Sequence, residues 1–141
     1  MINKDPRRIA GMFDAIAGRY DLLNLVLSAG LDRRWRRRAV RELALTGRER
    51  VLDMCTGTAD LAIAAATPPR GAGARDVIGI DFAGGMLRHG LAKVRQAGLS
   101  ARIHLARGDA TRIPLADASV DAAMVAFGIR NVLDPAVGCA E

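Results

Sequence analysis

Hydrophobic spacing divides the chain into two parts with different periods. Between residues 6 and 45, apolar side chains recur every three or four positions, the spacing that places them along one face of an α-helix. Gly18 and Gly30 are predicted interruptions, Asp32 is a predicted N-cap, and Gly47 ends the region. The apolar positions that share this spacing are Ile9, Met12, Phe13, Ile16, Leu22, Leu23, Val26 and Leu27. We therefore predict a helical N-terminal part.

From residue 50 onward, short apolar segments alternate with helix-forming ones. The strand-like segments are VLDMC, VIGID, ARIHLARGD and SVDAAMVAF. Two helix-like segments, ADLAIAAAT and FAGGMLRHGLAKVRQAG, separate the first three of them. The second helix carries Met86, Leu87, Leu91 and Val94 on one face, and Gly98 stands at its end. This alternation predicts an α/β fold with a parallel sheet and helices on its faces.

An acidic residue closes or directly follows each of the first three predicted strands. Asp53, Asp81 and Asp109 are each 28 residues apart, close to the roughly 30 residues of one strand–helix–strand unit. Because right-handed crossovers keep the strands parallel, we expect the three acids at one edge of the sheet, where open α/β sheets bind ligands. The alternative is three helix N-caps or solvated loop acids, each of which is common alone.

The loop after the first strand, in VLDMCTGTADLA, narrows the class of ligand. It has one glycine, Gly57, where dinucleotide sites carry a G-x-G-x-x-G run. Asp53 would repel a pyrophosphate at the helix N-terminus, which disfavours NAD. An acid after the second strand suits ribose hydroxyls, and one after the third suits the exocyclic amine of adenine. A cationic adenosine compound without phosphates fits better, and S-adenosylmethionine is such a molecule.

Charge is concentrated in the first third of the chain. The net charge is +6, and residues 1–50 carry 12 Lys+Arg against 6 Asp+Glu, whereas residues 51–141 carry 9 of each. Most of the excess lies in DRRWRRRAVRE, a run that can attract nucleic acid or an anionic membrane. The simpler interpretation is a solvated helix face, since Trp35, Ala39, Val40 and Leu43 share one stripe. Nucleic-acid binding is not expected, because Trp35 is the only aromatic residue in the run.

Other classes are excluded by composition. No apolar run reaches the roughly 20 residues that span a bilayer, and the N-terminus lacks the apolar core of a secretory signal. Cys55 and Cys139 are too few for a disulfide framework. These features predict a cytoplasmic protein with reduced thiols. No metal site is predicted.

Residues 12–134 resemble the ubiquinone/menaquinone C-methyltransferases. The specific stretches are MFDAIAGRYDLLNLVLSAGLDRRWRRRAV and GDATRIPLADASVDAAMVAFGIRNV, while VLDMCTGTADLA and VIGIDFAGGML are shared with methyltransferases in general. The resemblance implies the Rossmann-like sheet of a class I S-adenosylmethionine-dependent methyltransferase. Residues 1–46 would form a helical cap on the substrate side, and residues 47–141 a cofactor domain with the first four strands only, incomplete at its C-terminus.

The resemblance also implies roles for individual residues. Asp81 would bind the ribose hydroxyls, and Asp109 with Ala110 would hold the adenine. Tyr20 would help to close the site. The implied cofactor-binding residues are Asp53, Gly57, Thr58, Asp81, Asp109, Ala110 and Ala126, and the implied substrate-side residues are Arg130, Asn131 and Tyr20. Ala59 replaces a usual glycine of the loop, which places a Cβ where the backbone passes the ligand.

The implied reaction is methyl transfer from a sulfonium to a ring carbon of a reduced, prenylated quinone. Arg130 would stabilise the oxyanion of the ring, and no general base is identified, because His89 and His104 are interpreted as structural or solvated. The cap would receive the lipophilic quinol, and the arginine run would hold the protein at the inner face of a membrane. The fourth strand is expected to be an exposed edge through which copies associate. The alternatives are a methyltransferase for another small molecule and a remnant that binds cofactor or a partner without turnover.

Overall fold

Four parallel strands form the centre of the fold. The computed structural model describes residues 6–141. The strands are β1 (Arg50–Met54), β2 (Asp76–Asp81), β3 (Ile103–Arg107) and β4 (Ala122–Val125). They pair in the order β3-β2-β1-β4, and each neighbouring pair is parallel. The predicted α/β architecture is confirmed, and all four C-terminal strand ends meet at one edge.

Two helices connect the first three strands and cover the sheet. They are α3 (Asp60–Ala66), which follows β1, and α4 (Gly84–Gln96), which follows β2. Along the predicted apolar face of α4, Met86, Leu87 and Val94 are buried, while Leu91 is 37% exposed. The largest completely buried aliphatic side chains come from this layer: Ile80, Val51, Val77 and Val94. Burying each such side chain contributes about 1.5–3 kcal/mol, so this layer holds the sheet together.

The N-terminal part forms two helices, α1 (Pro6–Leu27) and α2 (Leu31–Glu42). The predicted break at Gly18 is wrong, because α1 continues through it; a single glycine costs a helix only about 1 kcal/mol. The break at Gly30 is present, and its φ of +78° is one that glycine adopts readily. Asp32 is not the N-cap of α2, a position held by Gly30. Its carboxylate instead interacts with the side chains of Ser28 and Arg36.

Helical spacing did not decide which apolar residues are buried. In the first half of α1, Phe13 and Ile16 are half-buried and Ala10 and Ala17 are buried. The second apolar group is exposed, with Leu22, Leu23, Val26 and Leu27 at 62%, 43%, 66% and 83%. The apolar stripe of α2 is divided in the same way, since Val40 and Leu43 pack against the core while Trp35 and Ala39 remain exposed.

Two elements after β4 were not predicted. They are a 3-10 helix at Phe127–Asn131 and α5 at Pro135–Ala140, whose N-cap Asp134 accepts the backbone N–H groups of Ala136 and Val137. Strand β4 is an edge of the sheet, and its Ala123 and Val125 are exposed. Within residues 6–141, no helix has the length and apolar character needed to cross a bilayer.

Candidate active site

A single cavity of about 460 Å³ lies at the C-terminal edge of the sheet. The end of β1, the end of β2 and the segment after β3 form its floor, and helices α1 and α2 form its roof. Its volume lies within the range of small-molecule sites. All ten residues predicted for the site line it: Tyr20, Asp53, Gly57, Thr58, Asp81, Asp109, Ala110, Ala126, Arg130 and Asn131. The fold brings these residues together, and their individual roles stay predictions.

Asp81 organises the loop that follows β1. One carboxylate oxygen accepts the backbone N–H of Gly57 at 2.8 Å, and the other accepts that of Ala83 at 2.8 Å. Burial raises the pKa of Asp81 above its ordinary value, against the backbone N–H groups of Ala83, Gly57 and Phe82, which lower it. The carboxylate therefore joins the loop to the beginning of α4 at the centre of the cavity.

Asp53 is almost completely buried, with 1% of its surface exposed. Its carboxylate accepts the hydroxyl of Thr56 at 2.6 Å. Thr56 fits beneath the loop because Gly79, the residue of β2 paired with Asp53, has no side chain; a Cβ at Gly79 would lie 2.8 Å from the Thr56 hydroxyl. Burial raises the pKa of Asp53 to about 7, helped by the charges of Asp81 and Asp60 and opposed by hydrogen bonds from Thr56 and the backbone of Ala62. A cation in the cavity would favour the ionised form.

The raised pKa of Asp53 predicts a dependence of stability on pH. The folded state keeps a proton that the unfolded chain releases at its ordinary pKa of 3.8. We therefore expect the free energy of unfolding to fall as pH rises from about 4 to about 7, and to level off above that. Urea unfolding of the protein and of Asp53→Asn at about pH 5 and about pH 8 measures this. The change in the free energy of unfolding between the two pH values should be smaller for Asp53→Asn, and this difference is the contribution of Asp53. An equal change in both proteins would contradict the raised pKa of Asp53.

Three alternate residues of the loop adopt left-handed backbone conformations. They are Cys55, Gly57 and Ala59, with φ values of +58°, +56° and +65°. These are the conformations that glycine adopts without strain, whereas another residue pays about 1–2 kcal/mol. The loop thus keeps the backbone path of a glycine-rich turn although only one of these three positions carries glycine. The Cβ of Ala59 is accommodated in the core, where the residue has no exposed surface.

Cys55 is not a nucleophile in this cavity. Burial raises the pKa of its thiol to about 12, and the negative charges of Asp81, Asp53 and Asp109 add to the effect. The neutral thiol therefore persists at physiological pH. Cys55 packs against the 3-10 helix at Gly128 and so acts as a small apolar side chain between the loop and that helix.

Asp109 stabilises the turn after β3. Its Oδ1 accepts both the backbone N–H and the hydroxyl of Thr111 at 2.8 Å, and Ala110 beside it is buried. Neither α3 nor α4 has a side-chain N-cap. The alternative interpretation of Asp53, Asp81 and Asp109 as helix caps is therefore wrong for these helices.

A charged network joins the cap helices to the loop. Lys93 Nζ on α4 lies 2.6 Å from Asp21 Oδ2 on α1 and 3.2 Å from the Thr58 hydroxyl, and it also contacts Asp60. The Thr58 hydroxyl donates to Asp21 Oδ1 at 2.5 Å. On the other side, Arg36 of α2 donates to Asp60 at 2.9 Å. The hydroxyl of Thr58 thus helps to attach helix α1 of the cap to the loop.

Replacing Lys93 with methionine is expected to lower the free energy of unfolding by about 1–3 kcal/mol, because Asp21 and Asp60 lose a charged partner and stay partly buried. The control is Arg95→Met, an exposed position on the same helix, which should change stability by less than about 0.5 kcal/mol. Chemical denaturation measures both variants. An equal effect of the two would show that the network does not stabilise the cap.

Aromatic contacts border the substrate side of the cavity. Tyr20 meets Phe13 edge-on at 6.0 Å and packs with Met86 beneath it. Trp35 of α2 meets Phe127 of the 3-10 helix edge-on at 5.9 Å. This second pair joins the cap to the segment that carries Arg130 and Asn131, and both of its residues line the cavity.

Several cavity residues were missed by the sequence analysis. Asn24 lies in the cavity wall, and its position as the polar residue within an apolar run was a usable signal. Asp32, Arg36 and Phe127 also line the cavity, and no spacing distinguished them. His89 and His104 are both exposed and lie outside the cavity wall.

Comparison with known proteins assigns the chain to a family. The model of the ubiE/COQ5 methyltransferase family matches residues 1–140. A ubiquinone/menaquinone biosynthesis C-methyltransferase of Geobacter sp. (strain M21) is 46% identical over 99% of this chain and 59% of its own length. A demethylmenaquinone methyltransferase of Beutenbergia cavernae is 44% identical over 99% of this chain and 54% of its own length. The chain thus spans little more than half of these relatives.

Solved structures support the fold independently. A protein of Methanococcus maripaludis, whose structure is described as that of an S-adenosyl-L-methionine-dependent methyltransferase, superposes with a TM-score of 0.73. It is 22% identical, and the match covers 90% of this chain and 56% of that one. A likeness at this identity concerns the fold alone. Together with the family match, it confirms the predicted Rossmann-like architecture, and the chain belongs to the ubiE/COQ5 methyltransferase family.

Proposed function

We propose that this chain binds S-adenosylmethionine at the C-terminal edge of its sheet. The observation that carries the proposal is a pair of carboxyl groups, the buried Asp53 and the half-buried Asp81, at the floor of one cavity. Burial raises the pKa of both groups, and a cationic ligand offsets that cost whereas a pyrophosphate would increase it. This pair of acidic groups therefore fits a positively charged nucleoside better than a dinucleotide.

The residues of the cavity divide between the parts of this cofactor. Asp81 at the end of β2 would accept the ribose hydroxyls, while its bonds to the loop hold Gly57 close. Asp109 and Ala110 would border the adenine, and Asp53 would face the positive charge. Ala126, at the end of β4, would line the floor beside the cofactor. Bound there, S-adenosylmethionine supplies an electrophilic methyl group on its sulfonium.

The substrate class follows from the roof of the cavity. Its cap side is formed by apolar residues that include Ile9, Phe13 and Leu27, which suits a lipophilic ring with a prenyl tail. The relatives are named for quinone methylation, and we propose a reduced quinone precursor as the substrate. Arg130 would stabilise negative charge on the ring oxygen, Asn131 would orient the ring beside it, and Tyr20 would limit the access of water.

A second function is favoured by the shape of the sheet. Strand β4 is an edge strand in the part of the chain that the structure describes, with Ala123 and Val125 exposed. Such an edge pairs readily with another strand. A chain that binds the cofactor without turnover, and pairs through β4 with a partner or a second copy, is therefore the competing proposal.

Isothermal titration calorimetry with S-adenosylmethionine and with NAD tests the binding step. Heat is expected with the first ligand only. Heat with NAD alone, or with neither ligand, would overturn the proposal.

Turnover is tested separately by methyl transfer to a short-chain demethylmenaquinol. Product formation would support the enzyme, and cofactor binding without product would support the binding function instead. Transfer to a small phenol at the same rate would argue against a quinol as the specific substrate.

A further inference from the structure

The tip of the cap exposes a cluster of apolar side chains. It consists of the last two turns of α1 and the first residue of α2, and we call it the apolar tip: Leu22, Leu23, Val26, Leu27 and Leu31, which are 62%, 43%, 66%, 83% and 42% exposed. Single exposed leucines are common, but five within ten positions form a patch of the kind that marks interaction sites. Packing within residues 6–141 does not explain why these five residues are apolar, because all of them remain exposed.

Cations lie beside the apolar tip. The inner face of α2 carries Asp32, Arg36 and Val40, which are buried or half-buried. At about 100° per residue, Arg34 and Arg38 project from the opposite face together with Leu31, and Arg37 lies beside Arg34 one turn later. All three arginines are exposed, and we call them the outer arginines. Of the six arginines of α2, only Arg36 has an ion-pair partner among the described residues.

We propose that the apolar tip and the outer arginines of α2 dock this protein on an anionic lipid bilayer. Apolar side chains that enter the interface beside guanidinium groups at the level of anionic headgroups are the features that hold amphipathic helices on membranes. An acidic protein would be matched by the arginines but would leave the tip unexplained. A neutral protein surface would cover the tip and leave the arginines unpaired.

The docking surface borders the mouth of the cavity. Leu27 is the most exposed residue of the tip and also lines the cavity, and Trp35 lies in the wall one turn into α2. Docking therefore turns the mouth toward the bilayer. A lipophilic substrate would then reach the cavity without crossing water, a consequence that rests on the proposed function, whereas docking itself does not.

Sedimentation with vesicles tests the docking. Binding is expected to vesicles of equal parts phosphatidylglycerol and phosphatidylcholine, to be much weaker to phosphatidylcholine alone, and to weaken with salt. The triple variant Arg34→Gln, Arg37→Gln, Arg38→Gln should lower the affinity for anionic vesicles roughly 100-fold, at about fivefold per arginine. The variant Leu22→Ser, Val26→Ser should lower it at every salt concentration, because the apolar contribution is not screened.

The matched control removes the same charge elsewhere. Arg48, Arg70 and Arg95 are exposed and lie outside the cap, and replacing all three with glutamine should change the affinity several-fold at most. If the control lost as much affinity for anionic vesicles as the α2 variant, binding would depend only on net charge, and the proposal would be overturned. Equal binding to neutral and anionic vesicles would do the same. Absent vesicle binding with concentration-dependent dimers in ultracentrifugation would assign the surface to a second copy. The measurement needs neither S-adenosylmethionine nor a quinol, so it can fail while the proposed function holds.

Discussion

Asp81→Ala is expected to weaken S-adenosylmethionine binding by at least about 100-fold. The substitution removes the proposed ribose acceptor, and two hydrogen bonds to a charged group are worth about 1.5–3 kcal/mol each. It also frees the backbone N–H groups of Gly57 and Ala83, which Asp81 holds at 2.8 Å. The loop then loses its link to α4, so the affinity should fall further. Calorimetry on folded protein measures the change.

The control for Asp81 lies at the other end of the same strand. Asp76 is the first residue of β2, outside the cavity, and its side chain pairs with the neighbouring Arg75. Asp76→Ala should leave cofactor affinity unchanged within about twofold, since exposed pairs of this kind contribute little. If both variants bind normally, Asp81 is not the ribose ligand and the assignment of the cavity floor is wrong.

Gly128→Ala is expected to displace the 3-10 helix from the cavity. The new Cβ would lie 2.3 Å from the Cβ of Cys55 and 3.1 Å from its sulfur, whereas non-bonded carbons in contact stand roughly 4 Å apart. Overpacking of this kind costs about 1–3 kcal/mol of stability. Arg130 and Asn131 belong to the same short helix, and a shift of about 1 Å at reacting groups lowers rates on the order of 100-fold. Denaturation and methyl-transfer assays measure the two effects.

A double variant distinguishes this collision from a general defect. Adding Cys55→Gly to Gly128→Ala removes the colliding Cβ and places glycine at a φ of +58°, so most of the lost stability should return. Gly11→Ala is the matched control, because a Cβ there has nothing within 4 Å and a helical alanine is favoured by about 1 kcal/mol. If the double variant is no better than Gly128→Ala alone, the collision is not the cause.

The floor of the site was largely predictable from the sequence. Asp53 and Asp81 lie at the C-terminal ends of β1 and β2, and Asp109 follows β3. Because parallel strands end at one edge, local patterns implied that these residues meet. The loop was predicted to line the site in spite of Cys55 and Ala59, and Gly57 and Thr58 do line the cavity. The backbone is left-handed at both Cys55 and Ala59, because β1, α3 and the hydrogen bond from Gly57 to Asp81 fix the path of the loop. Residues other than glycine therefore add conformational strain without changing that path.

The attachment of the cap was not predictable. Lys93 meets Asp21 across 72 residues of chain, and neither residue stands in a motif or at an informative spacing. The pairing of Trp35 with Phe127 is of the same kind. Such contacts depend on the angle at which α1 and α2 lie over the sheet, which packing determines and periodicity does not. Gly18 and Asp32 were misjudged for a related reason, because tertiary contacts outweigh a local propensity of about 1 kcal/mol.

The sequence by itself determined the class of fold, the edge of the sheet at which the cavity lies and the family of the chain, because strand and helix periods and the residues at strand ends are local properties. The tertiary structure alone decided which apolar residues are buried. Leu22 and Val26 follow the same three- and four-residue spacing as Phe13 and Ile16 and yet are exposed. The side of α1 that contacts α4 carries Asp14 and Asp21, and Leu22 and Val26 point away from it at about 100° per residue. A period does not specify which face of a helix meets a neighbour.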